Sequence, residues 1–387
     1  MSYKSASRND KNPENVKRKT NILSLITVLL CFAVILSIAL AMLVFYRPEF
    51  DNNIPFDTDP ASSLDSNEDN DKQKSEIANF LILGCDRSGG LNTDVIIIAS
   101  FNIGKGTVNM VQIPRDTYVN AGTSSRKINS LYASFYVRAK NAKVKDAHAK
   151  AVYDLIAVIE PNLCVKIHHY ITMDLKGFAN IVDAIGGVDI VLPDDLYYHD
   201  STPGHELIID LKAGPQTLDG KAAEQFVRFR MGYKMADIAR MDAQKLFIAA
   251  FIKKLKNNVN ITTIFPLAEQ VIKNVRTDMS VADCVYYAKK ALSVDMSRIS
   301  MMTLPGAGQT SEAGTAFYVM HRSAALKMIN KYLNIYDLLI SDSIFDKNIV
   351  FCNLNDNNLK SQYYKDVDWD KVVTADEPEI DIPLLGE

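Results

Sequence analysis

The chain has 387 residues, of which 48% are hydrophobic, and its 43 basic and 46 acidic residues leave a formal net charge of −3. This length is enough for two or three domains of typical size, and the near-neutral charge gives no bulk electrostatic argument for or against an anionic partner. The five cysteines are scattered without a Cys-x-x-Cys pair, which argues against a zinc site.

The N-terminal part of the chain contains an uncharged apolar segment over residues 22–46. About 20 apolar residues at 1.5 Å per residue cross a hydrocarbon core of roughly 30 Å. Lys17, Arg18 and Lys19 precede the segment, and residues 51–76 contain eight acidic residues against two lysines. Because positive charge is retained in the cytoplasm, we predict a cytoplasmic segment 1–21, a transmembrane helix 22–46 and an extracytoplasmic remainder at the cell membrane.

A cleaved signal peptide is the alternative interpretation of the same segment. Its apolar region is normally roughly 7–15 residues long and is followed by a small-residue cleavage site. This segment is longer, and the chain leaves it through Leu-Val-Phe-Tyr-Arg-Pro at 43–48. The sequence therefore favours an uncleaved signal-anchor.

The rest of the chain alternates between strand and helix patterns after an acidic, flexible linker at 47–76. Apolar runs between turn residues predict strands at 78–83, 95–101, 107–113, 166–171, 188–192 and 298–304. Helical spacing of apolar residues predicts helices at 144–159, 175–184, 220–230, 240–257, 264–273, 280–292 and 324–332. This alternation predicts one α/β domain over 77–334, with a central mixed β-sheet flanked by helices, and a C-terminal extension 335–387 with an acidic tail.

The first polar cluster lies in a glycine-rich loop between the first two predicted strands. Asp86 and Asp94 flank this loop, eight residues apart. Two carboxylates at such loop ends are suited to a hard cation such as Mg²⁺, which takes its other ligands from water and phosphate. Ordinary Asx-turns explain the same residues, because Asp and Asn favour turns.

The second cluster is the IPRDT motif at 113–117. Arg115 directly follows the proline that ends a predicted strand, and a guanidinium there is suited to bidentate phosphate recognition. Lys127 adds a second positive charge nearby. A surface ion pair between Arg115 and Asp116, worth about 0–1 kcal/mol, is the structural alternative.

The third cluster combines the FVRFR motif at 226–230 with a helix start. In an extended exit from the preceding helix, Arg228 and Arg230 would lie on one side of the chain. Asp237, Arg240 and Gln244 share one face of the next helix. Solvated helix faces with i,i+3 pairing are the alternative here.

Together the three clusters describe a cation beside several arginines, which suits a pyrophosphate better than a single carboxylate ligand. The sequence has no Walker-type phosphate loop and no Gly-x-Ser-x-Gly elbow. Nucleoside triphosphates are scarce outside the cell. A membrane-tethered, outward-facing pyrophosphate site therefore points to a lipid-linked pyrophosphate.

These motifs resemble the LytR-CpsA-Psr proteins of bacterial envelopes, and the resemblance covers roughly residues 77–332. It is carried, in order, by LGCD at 83–86, TD at 93–94, IPRDT at 113–117, KIN at 127–129, DAIGGVD at 183–189, LDG at 218–220, VRFR at 227–230 and D-x-x-R-x-x-x-Q at 237–244. Each motif alone is weak, but the ordered set behind one N-terminal span is specific.

The resemblance implies a Mg²⁺-dependent phosphotransferase that moves an anionic glycopolymer, such as teichoic acid, a capsule or a similar wall polymer, from a polyprenyl-pyrophosphate carrier to peptidoglycan. It implies the following roles: Asp86 and Asp94 hold the metal; Arg115, Lys127, Arg228, Arg230, Arg240 and Gln244 bind the pyrophosphate; and the catalytic set is Arg115, Asp116, Asp237 and Arg240. Either Asp116 or Asp237 would accept the acceptor's proton. Helices 175–184 and 240–251 would line a cavity for the prenyl chain, although core packing explains their apolar residues equally well.

Two positions depart from the family pattern. Asn92 stands where members often have Arg, which removes one potential phosphate contact, and Cys85 replaces a residue that is more often Ser or Thr.

Three alternative functions remain open. The first is a pyrophosphatase that uses water as the acceptor, and the second is an inactive envelope anchor, which the Asn92 departure keeps open. A regulator is the third. DNA binding fits it poorly, because the arginine-bearing domain is predicted outside the cytoplasm and no basic DNA-reading helix is evident. We expect no nucleic-acid partner.

Overall fold

The computed structural model describes residues 46–50, 53–55, 76–85, 91–121, 126–201, 207–230, 232–233, 237–259, 263–311, 314–336, 339–348 and 371–378. The chain divides into two units, Met1–Pro48 and Glu49–Glu387, and every element described below belongs to the second unit. Apart from its last residue, the predicted membrane span 22–46 lies outside the described residues. Among the residues that are described, no helix combines the length and apolar composition needed to cross a membrane.

The described residues form thirteen strands and nine α-helices. The strands are β1 (Ile77–Cys85), β2 (Thr93–Asn102), β3 (Thr107–Gln112), β4 (His169–Asp174), β5 (Val188–Leu192), β6 (Leu196–Asp200), β7 (Leu207–Leu211), β8 (Gly214–Leu218), β9 (Val275–Thr277), β10 (Ile299–Thr303), β11 (Gly306–Thr310), β12 (Ala316–Met320) and β13 (Val373–Thr374). The helices are α1 (Leu131–Asn141), α2 (Ala147–Leu163), α3 (Leu175–Ala184), α4 (Gly220–Arg228), α5 (Asp237–Asn258), α6 (Ile264–Asn274), α7 (Val281–Leu292), α8 (Arg322–Met328) and α9 (Asp342–Asn348).

Seven strands build a central mixed sheet in the order β13-β10-β3-β2-β1-β4-β9. β1 pairs with β4, and β3 with β10, in parallel, whereas the other neighbours are antiparallel. As a result β1, β3, β4 and β10 point the same way, and their C-terminal ends meet at one edge of the sheet. The predicted α/β class with a central mixed sheet and flanking helices is confirmed.

The two faces of this sheet are buried differently. Side chains alternate between faces along a strand, so the continuous apolar run of β1 supplies both. Leu81 and Leu83 are fully buried on one face, in the same core as Leu155 of α2 and Leu326 of α8. Ile82 instead borders an open cavity on the other face.

A second apolar cluster lies in the part of the chain between β4 and α6. It joins α3, α4 and α5 to the two-stranded sheets β5–β8 and β6–β7. Phe247 of α5 is central to it, with ring centroids 5.3 Å from Phe178 and 6.4 Å from Phe226. This cluster fixes α5, the helix that carries the third polar motif.

Several predicted boundaries need correction. The predicted strand 166–171 is β4, His169–Asp174, because pairing with residues 80–85 of β1 sets its register. The predicted helix 144–159 is α2, which Asp146 caps through a 3.0 Å bond from the Ala149 amide. The predicted helix 324–332 is divided, since α8 ends at Met328 and a π-helical turn, Ile329–Leu333, follows.

The C-terminal extension contributes to the same core. Ile344 and Phe345 of α9 are buried at 2% and 0% exposure within the cluster that covers the sheet. Further on, Val373 and Thr374 of β13 pair with β10. The extension is therefore packed against the rest of the domain through α9 and β13.

Substituting Phe345 tests this integration. Phe345→Ala removes a fully buried aromatic ring, and we expect it to lower the free energy of unfolding by about 3–5 kcal/mol. The matched control is Leu339→Ala, because Leu339 is 73% exposed, and its change should stay within about 0.5 kcal/mol. Urea unfolding of the full chain in detergent, followed by circular dichroism, measures both. Equal effects would contradict a packed extension.

Candidate functional site

The polar motifs converge at the edge of the sheet where the parallel strands end. Asp94 is the second residue of β2, beside the end of β1. Arg115 follows the end of β3 by three residues. Ligands of open α/β sheets bind outside the carboxyl ends of the strands, and this edge matches that rule.

A cavity of about 1060 Å³ opens next to this edge. One wall of the cavity is the second face of the sheet, and the opposite wall consists of α3, α5, α6 and α7. Most of its lining is apolar, including Ile82, Ile97, Met110, Ile171, Met173, Phe178, Ile181, Phe247, Ile248, Phe251, Leu267 and Ala288. The predicted helices 175–184 and 240–251 correspond to α3 and to part of α5, and both line this cavity; its use by a prenyl chain stays a prediction.

Charged and amide side chains border the same cavity. They are Asp94, Arg115, Asp174, Asp200, Arg228, Arg230, Arg240, Gln244 and Lys256. From Arg240 to Lys256, another lining residue, α5 rises about 24 Å, at 1.5 Å per residue. The cavity therefore joins a polar region at the sheet edge to a long apolar body.

Asp237 brings two arginines together. Its Oδ1 lies 3.2 Å from Arg115 Nη2 and 3.0 Å from Arg240 Nη2. Arg115 Nη1 also donates a 2.8 Å hydrogen bond to Asp94 Oδ1. The Nε donors of Arg115 and Arg240 are buried without a hydrogen-bond acceptor in the described part of the chain. Two guanidiniums are thus fixed in place while part of their donor capacity stays unused.

The two arginines differ in their electrostatic surroundings. Burial lowers the pKa of Arg115, but the carboxylates of Asp237 and Asp94 outweigh it, so the pKa lies above the usual value. Burial lowers the pKa of Arg240, and Asp237 opposes this effect. Both side chains still carry their charge at neutral pH, because arginine is effectively always protonated.

Asp116 and Lys127 form a pair next to Arg115 that does not line the cavity. Lys127 Nζ lies 2.8 Å from Asp116 Oδ1, and Asp116 Oδ2 lies 3.9 Å from Arg115 Nε. The loop is held by a 3.2 Å bond from the Asn129 amide to the Arg115 carbonyl. The predicted Arg115–Asp116 pair is present, but it belongs to a larger charge network.

Arg228 and Arg230 both reach the cavity, as the VRFR motif predicts. Arg228 is the last residue of α4, and Phe229 continues in an extended conformation. Phe229, between the two arginines, is buried at 3% exposure and so fixes the segment that follows α4. Arg228 Nη1 donates a 2.8 Å bond to Glu224.

Gln112 is a site residue that the sequence analysis missed. It is the last residue of β3, and its Nε2 donates a 2.6 Å hydrogen bond to Gln244 Oε1. Gln244 Nε2 in turn donates to the Val227 carbonyl at 3.1 Å. Gln112 and Gln244 are both buried, so this relay connects the sheet, α5 and the arginine-bearing turn. A polar residue that ends an apolar strand just before the IPRDT motif was the available signal.

The predicted metal ligands are only partly described. Asp86 lies outside the described residues. Asp94 offers a carboxylate that is 36% exposed at the cavity, with one oxygen bonded to Arg115. Within the described ranges, no group of three or more His, Cys, Asp or Glu side chains is placed to hold a metal. One or two carboxylates with substrate phosphates suffice for Mg²⁺, so this donor chemistry fits that ion.

Comparison with known proteins gives the same family for most of the chain. A model of the LytR_cpsA_psr family matches residues 52–334. The chain is 30% identical over 271 residues to the polyisoprenyl-teichoic acid–peptidoglycan teichoic acid transferase TagU of Oceanobacillus iheyensis, covering 67% of this chain and 78% of that protein. It is 28% identical over 261 residues to TagU of Bacillus mycoides, with the same coverage.

Solved structures share the fold. The crystal structure of B. subtilis TagV has a TM-score of 0.53 at 24% identity, covering 71% of this chain and 99% of that one. A structure of TagT bound to LI-WTA has a TM-score of 0.52 at 21% identity, covering 69% and 94%. At these identities the likeness establishes the fold alone.

The role of Asp237 can be tested by stability. Asp237→Ala leaves Arg115 and the buried Arg240 facing each other without their shared carboxylate, and we expect a loss of about 2 kcal/mol. The control Glu269→Ala breaks an exposed i,i+4 pair with Lys273 and should have no measurable effect. Adding Arg240→Leu to Asp237→Ala should recover part of the loss in urea unfolding. If the unfolding free-energy changes of the two single substitutions simply add in the double variant, the proposed coupling between Asp237 and Arg240 is contradicted.

Proposed function

This chain belongs to the LytR_cpsA_psr family, and on that premise we propose that it is a phosphotransferase that attaches an anionic glycopolymer of the teichoic-acid class to peptidoglycan. The proposed donor is the polymer on a polyprenyl-pyrophosphate carrier. The names of the two TagU relatives describe this transfer for those proteins. The proposal also includes the membrane anchor at 22–46 and an extracytoplasmic catalytic domain.

The observation that carries the proposal is the union of an apolar cavity with a cationic edge. A polyprenyl pyrophosphate has one long hydrocarbon chain and one compact, highly charged group. The apolar body between the sheet and α5 suits the chain. The four arginines at the cavity suit the pyrophosphate, because guanidinium binds phosphate through paired, charge-assisted hydrogen bonds.

The arginines act by positioning and charge stabilisation. Asp237 holds Arg115 and Arg240 at a fixed separation before any ligand arrives, so little reorganisation is needed during the reaction. The Nε donors of these arginines have no acceptor among the described residues but are buried, so the phosphate oxygens are proposed to meet the parts of the guanidiniums that line the cavity. Gln244, fixed by Gln112, and Lys127 complete the proposed binding set.

In the proposed reaction, an acceptor hydroxyl of peptidoglycan attacks the phosphorus atom that bears the glycan. A new phosphorus–oxygen bond forms to the acceptor, the bond between the two phosphates breaks, and polyprenyl monophosphate leaves. Asp237 holds two guanidiniums on one oxygen, and Asp116 lies beside Lys127 and Arg115. The proposed base for the acceptor's proton is one of these two carboxylates. When Mg²⁺ is bound by Asp94 and Asp86, it would neutralise charge on the pyrophosphate oxygens.

A transfer assay tests the proposal directly. Full-length protein in detergent is incubated with Mg²⁺, a polyprenyl-pyrophosphate glycan and peptidoglycan fragments, and mass spectrometry follows both products. We expect linked glycan from the wild type and at least a roughly 100-fold loss in Arg115→Ala and Asp94→Ala, the scale for removing one stabilising group of a transition state. Arg298→Ala, an exposed arginine on another element, is the control. Released but unlinked glycan would indicate a pyrophosphatase, and a bound, uncleaved donor would indicate an anchor.

The cavity makes a second prediction about the length of the lipid. Ala288→Trp on α7 places a large ring in the cavity wall. Displacing two methylene groups of the lipid costs about 1.6 kcal/mol, so KM for a long-chain donor should rise about 15-fold. A short-chain donor should be unaffected. Val281→Trp is the control, because Val281 lies on the same helix but is 56% exposed. Equal effects on both donors would contradict a lipid in this cavity.

A further inference from the structure

The turn between α1 and α2 carries a concentration of positive charge. We call residues 138–150 the α1–α2 corner. Its basic residues are all exposed: Arg138, Lys140, Lys143, Lys145 and Lys150. Asp146 is the one acidic residue in this range. The corner is thus strongly cationic within a chain whose net charge is −3.

Local structure explains only part of this charge. Arg138 and Lys140 lie in the last turn of α1, where cations favour the helix dipole. Lys150 pairs with Asp154 one turn along α2. Lys143 and Lys145 follow the end of α1, and neither forms an ion pair with any residue that the structure describes. Helix stability therefore does not account for them.

The one carboxylate in the corner is already engaged. Asp146 Oδ1 lies 3.1 Å from Arg276 Nη2, a cation outside the corner, and it accepts the Ala149 amide at 3.0 Å. Its charge is therefore balanced by Arg276 and by the start of α2. Apart from Lys150, which pairs with Asp154, the cations of the corner form no ion pair with the described residues.

Lys143 stands where the backbone favours glycine. Its φ is +55°, in the left-handed region, at the end of a helix where glycine is the usual residue. A side chain there costs conformational energy. The chain nevertheless carries a lysine at this position, so glycine is a substitution there that removes the charge without straining the backbone.

The corner is fixed to the edge of the sheet that carries the candidate site. His148, at the start of α2, has Nδ1 2.7 Å from the Tyr132 hydroxyl and Nε2 3.0 Å from Thr172 Oγ1. Thr172 lies two residues before the C-terminal end of β4, which pairs with the end of β1. From the KIN motif, α1 spans about 16 Å to the corner, at 1.5 Å per residue. A chain leaving the arginine cluster can therefore reach it.

We propose that the α1–α2 corner binds the phosphodiester repeats of a polyanionic glycopolymer. This rests on the proposed function, because the polymer is the non-lipid part of the donor. The alternative occupant is an anionic membrane surface. Such surfaces are usually met by aromatic anchors. The exposed large apolar side chains in the corner and at its borders are Val137, Val144 and Tyr153, and the hydroxyl of the one aromatic among them, Tyr153, donates a 3.3 Å hydrogen bond to Asp278. Three closely spaced, exposed lysines, Lys140, Lys143 and Lys145, that form no ion pair with the described residues suit a chain of phosphates better.

The test measures polymer binding without any turnover. Full-length protein in detergent is titrated into fluorescent poly(glycerol phosphate), which has no lipid and no pyrophosphate, and anisotropy is read at several salt concentrations. We expect K140A/K143G/K145A to weaken binding about tenfold, equivalent to about 1.4 kcal/mol, with a shallower salt dependence. The control K105A/K253A/K289A removes the same charge from other exposed positions and should bind like the wild type.

Folding and binding are separated by the single variant K143G. Glycine adopts the left-handed conformation at position 143 without strain. The melting temperature of K143G should therefore equal or exceed that of the wild type, while its polymer binding weakens. Equal weakening in both triple variants would reduce the effect to bulk charge and overturn the proposal. Corner-dependent binding to phosphatidylglycerol vesicles with unchanged polymer binding would assign the corner to the membrane and also overturn it. The assay needs no transfer, so a failed transferase assay leaves its result intact.

Discussion

The architecture depends on a sheet that is apolar on both faces but closely covered on only one. Protein interiors are normally packed as densely as organic crystals, so an apolar volume of about 1060 Å³ beside a sheet requires support. The second apolar cluster supplies it. Phe247 of α5 packs against Phe178 and Phe226. These contacts hold α5 in place, so the helix does not pack down onto the strands and fill the cavity.

The start of α5 organises the polar chemistry. Asp237 and Arg240 lie there, in contact with each other, and Asp237 also contacts Arg115 from the loop after β3. One carboxylate oxygen then links two guanidiniums from different elements. Gln112 and Gln244 make a second, uncharged link between β3 and α5. Apolar packing and polar positioning thus depend on one helix.

Strong periodic signals in the sequence predicted the central elements well. β5, α3 and α6 lie at or within one residue of their predicted bounds, because their apolar repeats are clear and glycine or polar residues end them. The convergence of the arginines was also predictable from three motifs that each follow a strand or open a helix. Their pairing through Asp237 was not, since it depends on how far α5 stands from the sheet.

Other features had no comparable local signal. α1 has no side-chain cap, and its buried residues Leu131, Tyr132 and Phe135 acquire meaning only against α2 and the sheet. The hairpin of β6 and β7 alternates buried and exposed positions over only five residues per strand, too short for a periodic pattern to be decisive. Gln112 was overlooked because its importance comes from a partner 132 residues away.

β13 has a consequence for the solution behaviour of shortened chains. Its residues Val373 and Thr374 lie beyond residue 334, where the family match ends, and pair with Met301 and Ser300 of β10. A chain cut at residue 334 would leave β10 as an open border with unsatisfied amide and carbonyl groups. Uncovered strands of this kind recruit other chains and promote aggregation. With β13 in place, the edge of the sheet is a strand of only two residues, and such short edge strands offer little for another chain to pair with.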